Sequence, residues 1–138
     1  MQGLSREREG GGLARDFAKD GNRVLVVEDD PGTRRGVQEI LEGEGFAVDG
    51  AEDGAQALQF LRRSSPPAFI LLDLAMPGMT GWEFRREQLA DPDLRRIPVV
   101  VMTNYEEYDE ALTALHPDGH LQKPIRPDEL RGVVARFR

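Results

Sequence analysis

Val24-Leu25-Val26-Val27-Glu28-Asp29-Asp30-Pro31 carries the architecture of the chain. Four aliphatic residues run straight into three acids and a proline. A short continuous apolar run fits a strand buried on both faces, and Arg23–Val27 is read as that strand. Proline lacks the amide proton and has a φ near the helical value, so Pro31 suits a helix's first turn, with Asp30 as the cap before it. Val37, Ile40 and Leu41 then share one helix face, and Gly43 and Gly45 end the helix.

The same alternation recurs along the rest of the chain. A weaker strand over 46–50 precedes a helix over 55–62 with Leu58 and Leu61 inward. Ser64-Ser65-Pro66-Pro67 is a loop, because each proline pushes its predecessor towards extended geometry. Strands follow over 68–72 and 98–102, separated by a helix over 81–89 and the Asp91-Pro92 turn. A fourth helix over 106–115, a short strand over 120–122 and an amphipathic helix over 128–137 complete the pattern. Leu130, Val133, Val134 and Phe137 stand at i, i+3, i+4 and i+7 in that last helix.

The order is (βα)5, an α/β class. Right-handed crossovers build it into a doubly wound, five-stranded parallel sheet with the flavodoxin-like strand order 2-1-3-4-5. Ligands of such sheets bind at the carboxyl ends of the strands.

The 138 residues are expected to hold one domain, over 23–138, preceded by a flexible arm or cloning remnant over 1–22. Leu13 and Phe17 in the arm are spaced as in a short helix. The absence of cysteine excludes disulfide scaffolds and thiolate metal sites. The apolar runs are too short for a membrane span, and the first 22 residues have no apolar signal core, so a cytoplasmic protein away from membranes is expected. The net charge of −7 argues against direct nucleic-acid binding. Residues 1–22 carry four basic and four acidic groups, so the whole excess lies in the folded part.

Its placement matters. Glu28 and Asp29 follow the first strand, Asp73 the third, Thr103 the fourth and Lys123 the fifth, so they are expected to converge on one rim. Clustered carboxylates repel unless a cation joins them, and oxygen ligands without Cys or a His pair favour a hard ion such as Mg²⁺. The bland alternative is that the acids are helix caps and solvated turns. The folded part uses Arg at 13 positions and Lys only at Lys123, which sets a compact point charge at this one strand end. A carboxylate nucleophile, a divalent cation, an ammonium and a hydroxyl suit phosphoryl transfer onto an aspartate, with Asp73 as nucleophile.

With Val24 to Asp30, Asp73-Leu74-Ala75-Met76-Pro77-Gly78-Met79-Thr80-Gly81, Ile97 to Thr103 and Lys123-Pro124 in that order, the chain resembles response-regulator receiver domains, the CheY-like family of two-component signalling. The resemblance covers residues 23–138. It implies Asp73 as phosphoacceptor, Asp29 as direct Mg²⁺ ligand, Glu28 acting through water, and the Ala75 carbonyl as a further ligand. It also implies that Thr103 hydrogen-bonds the phosphoryl group and shifts on activation, that Lys123 pairs with Asp73 or its phosphate, and that the Lys123–Pro124 bond is cis.

His120 stands where the family usually carries a rotating Tyr or Phe, and is either an imidazole switch or a plain surface histidine. Asn104 stands where a small residue is usual, and Pro117 interrupts the stretch before Lys123. Neither Ala75 nor Tyr105 can orient an attacking water, so slow autodephosphorylation is expected.

The function so implied is a stand-alone regulator, not an enzyme acting on other molecules. It would take a phosphoryl group from a histidine kinase or His-phosphotransfer protein and signal to an unknown protein through its last two helices and final strand. The competing reading is a receiver-like interaction module independent of phosphorylation. An aspartate phosphatase is disfavoured, since Ala75 occupies the place of the general acid such enzymes need two residues after the nucleophile.

Overall fold

The computed structural model describes residues 22–104 and 108–137. The arm other than Asn22, Tyr105 and the expected start of the fourth helix at Glu106 lie outside the described residues. The strands are β1 (Arg23–Val27), β2 (Ala47–Ala51), β3 (Phe69–Asp73), β4 (Val99–Thr103) and β5 (Gly119–Gln122). The helices are α1 (Pro31–Gly43), α2 (Gly54–Arg62), α3 (Gly81–Ala90), α4 (Tyr108–Leu115) and α5 (Pro127–Val134). All pairings are parallel, in the order β2-β1-β3-β4-β5 expected from the sequence.

Side chains alternate across the sheet and divide the core in two. Leu25, Val27, Ile70, Leu72, Val99 and Val101 pack with α2, α3 and α4 through Leu58, Phe84 and Ala111. Val24, Val26, Phe69, Leu71, Val100 and Met102 face α1 and α5 through Val37, Leu41, Leu130 and Val134. Every residue of β3 and β4 is buried. Complete burial of a Leu or Val contributes about 1.5–3 kcal/mol relative to exposure, which explains why these strands read as unbroken apolar runs.

The helix starts follow local chemistry. Asp30 caps α1, its carboxylate accepting from the Thr33 amide at 2.7 Å, with Pro31 in the first turn. Thr80 and Glu83 form a reciprocal capping box on α3. Gly45 ends α1 with a φ of 96°, a conformation that costs glycine little, and the Phe46 amide then returns to the Leu41 carbonyl at 3.1 Å.

Two boundaries differ instructively from expectation. β2 begins at Ala47 because Phe46 turns into the core, edge-on to Phe69 at 5.6 Å between ring centroids. The last helix is α-helical only to Val134 and then tightens into a 3-10 turn over Ala135–Phe137, which leaves Phe137 5.1 Å from Phe69. Among the described residues no helix is long and apolar enough to cross a membrane.

A candidate metal and phosphoacceptor site at the strand ends

The site is assembled by strand register. Val27 pairs with Leu72, and Asp73 with Met102, so Glu28, Asp73 and Thr103 emerge near one level of the sheet. The ladder continues past β5, where the Lys123 amide donates to the Thr103 carbonyl at 2.7 Å and draws the lysine to the same rim. The Lys123–Pro124 bond is cis.

Carboxylate oxygens of Glu28, Asp29 and Asp73 lie within 4.8 Å of one another. Glu28 and Asp73 are buried, at 1% and 3% exposure, while Asp29 is half-buried and open to ligands. Lys123 Nζ spans the cluster, 2.9 Å from Glu28 Oε1 and 3.2 Å from Asp73 Oδ1. Backbone amides add two donors: Ala75 N–H to Asp73 Oδ1 at 3.3 Å and Asp30 N–H to Glu28 Oε2 at 3.2 Å. The Thr103 hydroxyl is buried at the end of β4 and has no hydrogen-bond partner among the described residues. Ala75 is exposed at the rim.

The electrostatics reflect crowding. Burial pushes the Glu28 carboxyl up from its ordinary value and the Asp73 charge adds to this, against the pull of Lys123 and the Asp30 amide. For Lys123 burial is the largest single influence and pulls down. The hydrogen bond to Glu28 and the charges of Asp73 and Glu28 together outweigh it and hold the ammonium above the usual lysine range. The Asp30 carboxyl is lowered chiefly by the Thr33 amide and hydroxyl, with smaller pulls from Lys123 and Arg34.

The donor set fits a hard divalent cation: three carboxylates within reach of one ion, no sulfur or imidazole, and a buried acid whose charged form the protein alone leaves under-compensated. Glu28, Asp29 and Asp73 would hold it. Glu28, Asp29, Asp73 and Lys123 come together as expected, and Thr103 ends β4 at the same level, while His120, read either as a switch or as a plain surface histidine, lies apart from them. That side chain is exposed on β5, level with Val101 and two residues short of the Thr103 row, beside a groove of about 460 Å³ that Glu129, Val133 and Arg136 also line.

Three residues that the sequence reading passed over hold the surroundings in place. Arg34 Nη1 donates to the Glu28 carbonyl at 2.6 Å. At the other end of the sheet Arg85 and Gln88 are buried on α3. The signal for the second pair was present: Gly81, Phe84, Arg85 and Gln88 stand at the i, i+3, i+4, i+7 spacing of a buried helix face, two of them polar.

Comparison with known proteins agrees with this architecture. The response regulator receiver domain family matches residues 24–135. The DNA-binding response regulator MtrA of Mycolicibacterium smegmatis is 37% identical over 118 residues, which is 84% of this chain and 49% of that protein, so the chain spans about half the length of this relative. Sporulation initiation phosphotransferase F of Bacillus subtilis is 33% identical over 118 residues, covering 83% of this chain and 92% of that protein. The receiver domain of sensor histidine kinase PA1611 from Pseudomonas aeruginosa PAO1, solved with a magnesium ion coordinated in its active site cleft, superposes with a TM-score of 0.77 at 28% identity over 85% of this chain and 97% of that one. With the family model matching residues 24–135, which span all five strands and the rim they share, the chain belongs to the response regulator receiver domains of two-component signalling.

Proposed function

We propose that this receiver domain accepts a phosphoryl group on Asp73 from a histidine kinase or His-phosphotransfer protein in a Mg²⁺-dependent reaction, and signals by altered protein contacts. The observation that carries the reading is the convergence of Glu28 and Asp29 on a buried Asp73 that the Lys123 ammonium also touches. An Asp73 carboxylate oxygen forms the new bond to phosphorus as the phosphorus–nitrogen bond of the donor histidine breaks. The imidazole leaves with the electron pair and is reprotonated from water. A Mg²⁺ held by Glu28, Asp29 and Asp73 would supply charge neutralisation for the transfer. Lys123 stays cationic through the step and pairs with a phosphoryl oxygen, while the Thr103 hydroxyl donates to another.

The domain acts here as a phosphoacceptor that assists its own modification, not as an enzyme on other substrates. Phosphorylation adds roughly −1.5 to −2 charges to an acidic rim and biases a two-state equilibrium, whose output surface is α4, β5 and α5. The groove beside His120 lies on that surface.

A specific observation favours a second reading, in which binding to a partner does not depend on phosphorylation. His120 is exposed where the family usually places an aromatic switch residue. Acetyl phosphate with Mg²⁺ separates the two. Labelling of the wild type that is abolished by Asp73→Asn is the expected result, and wild-type protein that stays unlabelled overturns the first reading. Partner capture that is indifferent to beryllofluoride supports the second.

A further inference from the structure

Arg34 belongs to α1 yet reaches backwards, against the direction of its helix, to the loop that carries the first two acids. Its Nη1 donates to the Glu28 carbonyl at 2.6 Å. The Glu28 amide is held separately by the Ala51 carbonyl at 3.0 Å. Residue 28 is therefore fixed through its amide by β2 and through its carbonyl by a guanidinium. The Glu28 carbonyl shares a planar peptide unit with the Asp29 amide, so rotation of that plane would swing both carboxylates. Past it, the Asp30 amide donates to Glu28 Oε2, and the Asp30 carboxylate caps α1.

The seat of the arginine is built as well. A Cβ on Gly50 of β2 would fall 3.2 Å from Arg34 Cδ and 3.5 Å from Nε. The arginine stem thus lies across bare backbone, in space that a side chain at position 50 would occupy. Nothing of this kind follows from a surface arginine whose charge alone is used.

We propose that Arg34 is a positioning residue for the cation site: seated on Gly50, it locks the β1–α1 turn so that Glu28 and Asp29 are presented together with Asp73. The inference rests on the reading of that cluster as a divalent-cation site. Position and charge make opposite predictions. A cation near the acids weakens their attraction for Mg²⁺, so loss of its charge alone would tighten binding. Loss of the lock leaves the carboxylates to reorganise and weakens binding, as losing a supporting hydrogen bond behind metal ligands commonly does by tenfold or more.

The test is calorimetric titration of Mg²⁺ into the full chain, as wild type, Arg34→Met, Arg34→Lys and Gly50→Val, with thermal midpoints and amide exchange recorded alongside. Arg34→Met should bind Mg²⁺ about tenfold more weakly. Arg34→Lys, which keeps the charge but loses the planar fork, should fall between it and the wild type. Gly50→Val, which leaves the guanidinium but displaces its stem, should also weaken binding. Amides of Asp29 and Asp30 should exchange faster in all three variants, while core strand amides do not. That pattern separates local positioning from general loss of stability. Should Arg34→Met fail to fold, Gly50→Val and Arg34→Lys carry the decision. Mg²⁺ binding equal to or tighter than wild type in the folded variants overturns the positioning role while leaving the site intact. A wild type that binds no Mg²⁺ overturns the site reading and this inference with it.

Discussion

Two buried polar clusters sit at opposite ends of the same sheet, and they are built on contrary principles. Below the amino ends of β4 and β5, Arg85 donates to the Leu115 and His116 carbonyls at 3.1 and 3.0 Å and to Gln88 Oε1 at 2.8 Å. Gln88 passes the network on to the Leu94 and Ile97 carbonyls, both at 3.0 Å. Each donor there meets a neutral oxygen, and burial lowers the arginine's pKa from its ordinary value against the smaller opposing pull of the Asp118 charge. At the carboxyl ends, three carboxylates crowd together, two of them against one ammonium, and a buried hydroxyl goes unpartnered among the described residues. The lower cluster ties α3 to the end of α4 and to the start of β4. The upper one leaves carboxylate charge crowded and a hydroxyl without a partner among the described residues.

If the contrast is right, perturbing the two ends should have opposite consequences. The largest stability effect belongs to the lower cluster. Arg85→Met would leave two carbonyls and Gln88 Oε1 without their donor, and should cost about 3 kcal/mol in denaturant unfolding. Mg²⁺ affinity should be unchanged, and a parallel loss of metal binding would erase the distinction between the ends.

The upper cluster should show the reverse. Thr103→Val replaces an unpartnered buried hydroxyl by a methyl of similar shape and should raise stability by about 1 kcal/mol, while impairing the phosphorylated state. Destabilisation by this substitution would mean that the hydroxyl is already satisfied in the resting protein.

The smallest effect concerns the helix cap beside the upper cluster. Asp30→Asn retains the capping geometry but not the charge. Because the folded-state carboxyl is lowered, the charge contributes stability fully above its unfolded value of about 3.9 and loses it as pH falls through the lower folded value. The gap in thermal midpoint between wild type and Asp30→Asn should therefore close on acidification. A gap that is constant from pH 7 down to strong acid would break the assignment.

How much of this was legible beforehand depended on the range of the interaction. Caps and strand starts are settled within three or four residues, which is why Asp30-Pro31 and Arg23–Val27 could be read directly. The weak spots were Phe46 and the last helix, where packing against Phe69 overrode the local pattern. Arg85 was missed because an arginine at the i+4 place of a helical stripe ordinarily marks solvent; its two carbonyl acceptors lie 30 and 31 residues away. Arg34 was missed because a side chain's backward reach to a carbonyl leaves no periodic trace in sequence.

The sequence by itself determined the (βα)5 order, the residue types at each strand end and the lone lysine of the folded part, because strand burial, helix capping and composition are local properties. Tertiary structure alone decided that Lys123 Nζ bridges Glu28 and Asp73, that the Thr103 hydroxyl is enclosed, that His120 faces outward, and that Arg34 fastens the turn bearing the acids. Those facts depend on parallel register and crossover packing between segments far apart in the chain. A slip of one residue in the register of β4 or β5 would send Thr103 or His120 to the opposite face of the sheet.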